Sequence, residues 1–152
     1  MRKNKSTLIL GIGIVLLLVF LFAYPRMKSG NGSGDSSVVP CLLPNTPLLQ
    51  HIHPRLTILV DDAPEIVPAD IGLSGCEQAL HTHDETGEIH AEAQDRREYT
   101  FGDFMGVWEK SFEREGYSLK ATVDGKEIVN PAGIVLKDGE QIVLEYTTSK
   151  GE

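Results

Sequence analysis

The chain begins with an apolar run unlike anything after it. Thr7 to Tyr24, TLILGIGIVLLLVFLFAY, holds eighteen residues with no charge and no proline. At about 1.5 Å per residue a helix of this length covers about 27 Å, close to one bilayer core. Beyond it the pattern breaks into short alternations. In RLTILV, Arg55 to Val60, the residues Leu56, Ile58 and Val60 share one face, which predicts a strand. DDAP turns the chain, and EIVPADIG predicts a short second strand that Pro68 pushes toward a sheet edge or an early end. GLSGC reads as loop, and EIHAEA, Glu88 to Ala93, as another short strand. From Tyr99 to Gly116 the period becomes helical. Phe101, Phe104, Met105, Trp108 and Phe112 form one apolar stripe, with Thr100 as N-cap, Asp103 three residues on, and Gly116 at the end. Such a stripe packs a core. YSLKATVDGKEI predicts a strand turning at Asp124-Gly125, and IVLKDGEQIVLEY a hairpin around Asp138-Gly139.

The resulting fold class is α+β: a transmembrane helix at the amino end, then a small roll with a mixed sheet, one packed helix and a histidine-rich insertion. The expected segments are 1–6 in the cytoplasm, 7–24 as membrane anchor, 25–40 as linker, 41–147 as the folded domain and 148–152 as a tail. VDGKEI followed by LKDGEQIVLEY resembles the end of the β-grasp domains, the ubiquitin-like group that includes small sulfur carriers. Sulfur carriers end in a Gly-Gly tail used for adenylation. This chain ends TTSKGE, so the resemblance implies a fold and not that activity.

Three cations precede the apolar run and two follow it, a bias that favours the amino terminus in the cytoplasm and the domain outside. A cleaved signal peptide is the rival reading. The run exceeds a usual h-region and no small-x-small site follows Tyr24, and either reading sends residues 25–152 out of the cytoplasm. KSGNGSGDSS, Lys28 to Ser37, is a flexible tether, and VVPCLLPNTPLLQ an extended lead-in. With 22 acidic and 14 basic side chains the net charge is −8, which argues against nucleic acid and suits a cation partner. Cys41 and Cys76 lie in a segment bound for a compartment that permits disulfides; a bridge, no pairing, and metal ligation by Cys76 are the alternatives.

All five histidines fall in two clusters, HIHP at 51–54 and HTHDETGEIH at 81–90. On extended backbone alternate side chains share a face, so His51 pairs with His53 and His81 with His83, about 6–7 Å apart at Cα. Glu88, His90 and Glu92 likewise share a face, and Gly87 provides a turn that folds His90 back on His81 and His83. Neutral imidazole ligates zinc, copper, iron and nickel. Asp84 is a candidate oxygen ligand, with Glu88 and Glu92 as further ligands or as groups that orient an imidazole. Solvated surface histidines are the plain alternative; two His-x-His pairs plus a fifth, with none elsewhere, weigh against it. The nitrogen-rich set suits Cu(II) or Zn(II), and no methionine cluster serves Cu(I). HIHPRL, HTHDETGEIHAE and TFGDFMGVW together resemble a family of uncharacterised membrane-anchored prokaryotic proteins with the pattern HxHP…HTHDxxGxIHxE. That resemblance implies that the clusters act together and supplies no activity.

Three functions compete. A tethered metal-binding module for sensing, buffering or delivery needs only the ligands. A metal-dependent hydrolase needs an open metal position and a general base, for which Glu88, Glu92 or Asp84 are candidates. No HExxH or GxSxG occurs, and no histidine directly follows Asp84, so the residues favour binding over catalysis. A metal-free interaction domain on a stalk is the third, its partner unspecified.

Overall fold

The computed structural model describes residues 38–149. The expected anchor at Thr7–Tyr24, its cytoplasmic flank, and the tether to residue 37 lie outside them. Among the described residues no helix is long and apolar enough to cross a membrane. In chain order the elements are β1 (Gln50–Ile52), β2 (Arg55–Val60), β3 (Ala63–Glu65), β4 (Leu80–His81), β5 (His90–Ala93), α1 (Phe101–Val107), β6 (Tyr117–Val123), β7 (Lys126–Ile128) and β8 (Gln141–Thr148). A 3-10 turn at Pro131–Gly133 precedes β8. The domain is mixed α+β, mostly sheet, with one α-helix among the described residues.

Two sheets divide the strands. The larger has the order β3-β2-β8-β6-β7, the smaller β1-β5-β4. In the larger, β2 and β8 run parallel from Arg55 opposite Gln141 to Val60 opposite Tyr146, and every other pairing is antiparallel. Period-two alternation explains it. Leu56 and Ile58 of β2, with Ile142, Leu144 and Tyr146 of β8, are buried, while Thr57, Gln141 and Thr147 face water. Phe101, Phe104 and Met105 of α1 join the same core cluster. Fully burying an aliphatic or aromatic side chain stabilises by about 1.5–3 kcal/mol, so each of these positions contributes to the domain's stability.

Local signals set the turns. At Asp124-Gly125 both residues have positive φ, the conformation of a tight hairpin turn, and β6 and β7 pair across it. Thr100 and Asp103 form a reciprocal capping box at the start of α1. The second strand falls at Ala63–Glu65, earlier than EIVPADIG predicts, and it is an edge strand. The fifth is shorter than predicted, His90–Ala93.

Two expectations need correction. The helix does not reach Gly116; it ends at Val107. Glu109 adopts φ 56°, and the Glu109 and Lys110 amides donate to the Gly106 and Met105 carbonyls at 3.1 and 3.0 Å. This is a Schellman stop, built with glutamate where glycine is the usual signal. Phe112 continues the stripe from a non-helical segment, its ring 5.4 Å from that of Phe101. The second correction concerns IVLKDGEQIVLEY, which is no hairpin. Both edges of β8 are taken by β2 and β6. Ile134 to Leu136 pairs instead with the entry to α1, through Phe101 N to Ile134 O at 2.8 Å and Leu136 N to Tyr99 O at 2.9 Å.

Candidate metal centre

The smaller sheet is made of strands of three, four and two residues, and it carries the histidines. His51 lies opposite Glu92 in the β1–β5 pairing, and His81 lies opposite His90 in the β4–β5 pairing. His53 follows β1 by one residue and His83 follows β4 by two. Alternation turns each His-x-His pair to one side, and the register of β5 then sets His90 between the pairs.

Two backbone features hold the strands there. The lead-in lies against β4: Leu42 N donates to Glu77 O at 2.7 Å and Ala79 N to Pro40 O at 2.9 Å. Cys41 and Cys76 are joined by a disulfide beside these bonds, with Cα atoms 5.8 Å apart, so neither thiol is available as a ligand. The turn before β5 lies on β2. Leu56 N donates to Gly87 O at 2.8 Å, and Gly87 has φ 78°. A Cβ at Gly87 would collide with the Leu56 carbonyl oxygen. Glycine is required there by its conformation and by that close approach.

The imidazoles converge. His51 Nε2 and His53 Nε2 are 3.1 Å apart, as are His81 Nε2 and His83 Nε2. With metal–nitrogen bonds of about 2.0–2.1 Å, two nitrogens at that separation subtend roughly 100° at a shared ion, close to tetrahedral. His90 lies among all four other rings, with centroid distances of 5.9, 4.8, 5.2 and 4.5 Å to His51, His53, His81 and His83. Two groups could each hold a metal ion: His51, His53 and His90, and His81, His83 and His90. Within each, one nitrogen per ring lies within 4.8 Å of the others.

The electrostatics suit neutral ligands. His81 is fully buried, and its Nδ1 meets the Gln78 carbonyl at 2.8 Å. A carbonyl only accepts, so Nδ1 carries the proton and Nε2 presents a lone pair toward His83. Burial pushes the His81 pKa below the ordinary imidazole value, against the Gln78 hydrogen bond and the Glu92 and Glu77 charges, which raise it. Burial likewise lowers that of His90, helped by repulsion from His83, His81 and His53 and opposed by Glu92. His90 Nδ1 is buried without a hydrogen bond. Its nearest carboxylate oxygen, Glu92 Oε1, is 3.7 Å away, beyond hydrogen-bond range. A buried, unpaired imidazole nitrogen among four other imidazoles fits a site built for a cation.

Carboxylates stand beside the rings. Glu92, itself buried, places Oε1 3.0 Å from His51 Nε2. Glu88 divides its oxygens: Oε2 pairs with Arg55 at 3.1 Å, and Oε1 lies 3.8 Å from His90 Nε2. Asp84 turns to its own loop, accepting from the Thr86 amide at 2.8 Å and hydroxyl at 2.6 Å, and belongs to neither histidine group. Sequence reasoning missed Glu77, whose Oε1 is 3.6 Å from His81 Nε2, and Asp138, which accepts from the His53 amide at 2.9 Å. Glu77 lies in a segment read as loop, and Asp138 was assigned only to a turn; the one available signal was that Glu77 follows a cysteine whose partner is distant.

No protein-family model matches the chain, and no curated protein or solved structure is detectably similar to it.

Proposed function

We propose that this chain is a metal-binding domain tethered to the outer side of a membrane by Thr7–Tyr24, taking Cu(II) or Zn(II) in metal sensing, buffering or delivery. The observation that carries the reading is the pair of Nε2–Nε2 approaches at 3.1 Å flanking a buried, unbonded His90 Nδ1. Nitrogen-rich sets favour Cu(II) by the divalent affinity order, and three imidazoles with a carboxylate suit Zn(II). The larger sheet's order, with its parallel pair central and a helix in the same core, supports the β-grasp resemblance and supplies a scaffold rather than an activity. The motif resemblance to membrane-anchored prokaryotic proteins is in keeping with clusters that act together.

Binding is favoured over hydrolysis. One oxygen of Glu88 is committed to Arg55, and Glu92 faces two imidazoles rather than an open position. A groove of about 380 Å³ between Phe112, Arg114, Tyr117, Pro131 and Tyr146 contains none of the histidines.

The test is metal content. Full-length chain purified in detergent without a polyhistidine tag, exposed to Zn(II) or Cu(II) and dialysed, should retain at least one ion per chain. His81→Ala/His83→Ala should lose ions. Failure of the native protein to retain either metal would sink the proposal.

A further inference from the structure

We infer that the centre takes two cations, one on each histidine pair, with His90 as the ligand they share. The inference rests on the metal-binding reading and gives it a stoichiometry and a geometry. Three observations support it.

The five histidines do not gather around one point. They form two groups of three with His90 as the common member. A single ion with bonds of about 2.0–2.1 Å keeps all its ligand atoms within roughly 4 Å of one another, tighter than even the separate groups require. Two ions need much less rearrangement.

The halves match. On one side His51 Nε2 faces His53 Nε2 at 3.1 Å and Glu92 Oε1 at 3.0 Å. On the other His81 Nε2 faces His83 Nε2 at 3.1 Å and Glu77 Oε1 at 3.6 Å. Each half thus offers two imidazoles, with a carboxylate beside one of them. His90 makes the third donor of each group and leaves a fourth tetrahedral position to that carboxylate or to water.

His90 has both ring nitrogens uncommitted. A ligating imidazole almost always gives its other N–H to a carbonyl, carboxylate or water, and His81 does so through Gln78. In His90, Nδ1 has no hydrogen bond, and Nε2 is 3.8 Å from its nearest carboxylate. Nδ1 lies 3.7 Å from the same Glu92 oxygen that meets His51, which turns it to the first half and leaves Nε2 for the second. Neutral imidazole carries one N–H. When the second ion binds, that proton leaves to solvent and the ring bridges as imidazolate.

The experiment is a Cu(II) titration of the tag-free full-length chain, followed by electron paramagnetic resonance and by metal analysis. The expected signal grows through the first equivalent, then falls as a second ion binds and couples through His90. His51→Ala/His53→Ala should bind one ion with an uncoupled spectrum. His90→Gln should abolish the coupling while the two pairs still take metal. Saturation of the native chain at one ion, or two ions without coupling, overturns the shared ligand and leaves the metal-binding reading standing. No binding overturns both. The native titration decides by itself if a His90 variant does not fold.

Discussion

The two sheets of this domain are built on different terms. The five-stranded sheet has strands of up to eight residues and alternates apolar and polar positions, so its interior is Leu56, Ile58, Ile142 and Leu144. The three-stranded sheet has no strand longer than four residues, and among its buried positions are His81 and Glu92, with Thr82 directly after β4. Burying polar groups costs free energy unless they are bonded. Thr82 is bonded, through its hydroxyl to Pro68 O at 2.8 Å, and His81 is bonded to Gln78; His90 Nδ1 is not. The larger sheet buries an apolar face in the core cluster, to which Leu80, Ala91 and Ala93 of the smaller sheet also belong. The smaller one, at the end that bears the histidines, brings imidazole nitrogens close to one another and to Glu92. Such a sheet could hold a cation.

Several measurements would break or sharpen this contrast. The largest effect belongs to the apolar sheet. Leu144→Ala leaves a cavity in a fully buried position and should cost about 2–5 kcal/mol, read from the denaturant midpoint, with metal affinity changed far less. Equal losses of stability and affinity would mean that the sheets are not separable in this way. Next is the covalent tie. Cys41→Ser/Cys76→Ser opens a link across 35 residues beside β4 and should cost about 2–4 kcal/mol. Because Glu77 and Gln78 follow Cys76 directly, this variant should also weaken metal binding, as Leu144→Ala should not.

A smaller effect concerns the helix that bridges the two pattern types. Thr100→Ala removes the cap of α1 and should cost about 1 kcal/mol without altering metal content. This position also marks where the sequence is legible. The capping box, the strand of RLTILV and the Asp124-Gly125 turn follow from short-range chemistry that a handful of residues completes. So does the arrest at Gly87, since its turn folds β5 back toward β4. The end of α1 is different. Glu109 takes a left-handed conformation that its residue type does not advertise, so the stripe from Phe101 to Phe112 reads as one helix when it is a helix and a separate segment. The place of Ile134–Leu136 was hidden for a topological reason. An alternating segment beside Asp138-Gly139 looks like half a hairpin until β2 and β6 are seen to occupy both edges of β8. The histidine pairs were legible because alternation is local. Glu77 and the Gln78 carbonyl were not, because they reach His81 through a loop whose path depends on the disulfide.

The smallest effect is one of pH on the metal-free protein. His81 and His90 have pKa values lowered by burial, so below about pH 6.5 the unfolded chain takes up protons that the folded one does not. Their contribution is present above that value and is lost as pH falls through the lowered folded values. The midpoint of urea unfolding should therefore drop over this range, and His81→Gln should flatten part of the drop. An unchanged profile in the variant would mean that burial does not hold His81 neutral.

The most direct test of the central claim is amide hydrogen exchange of the full-length chain with and without Zn(II). If the histidine sheet is completed by a cation, amides of β4 and β5, those of His81, Ala91 and Glu92 among them, gain protection on adding metal. Those of β2 and β8 should change only as far as global stability rises. Protection that rises equally in both sheets, or in neither, would contradict the account.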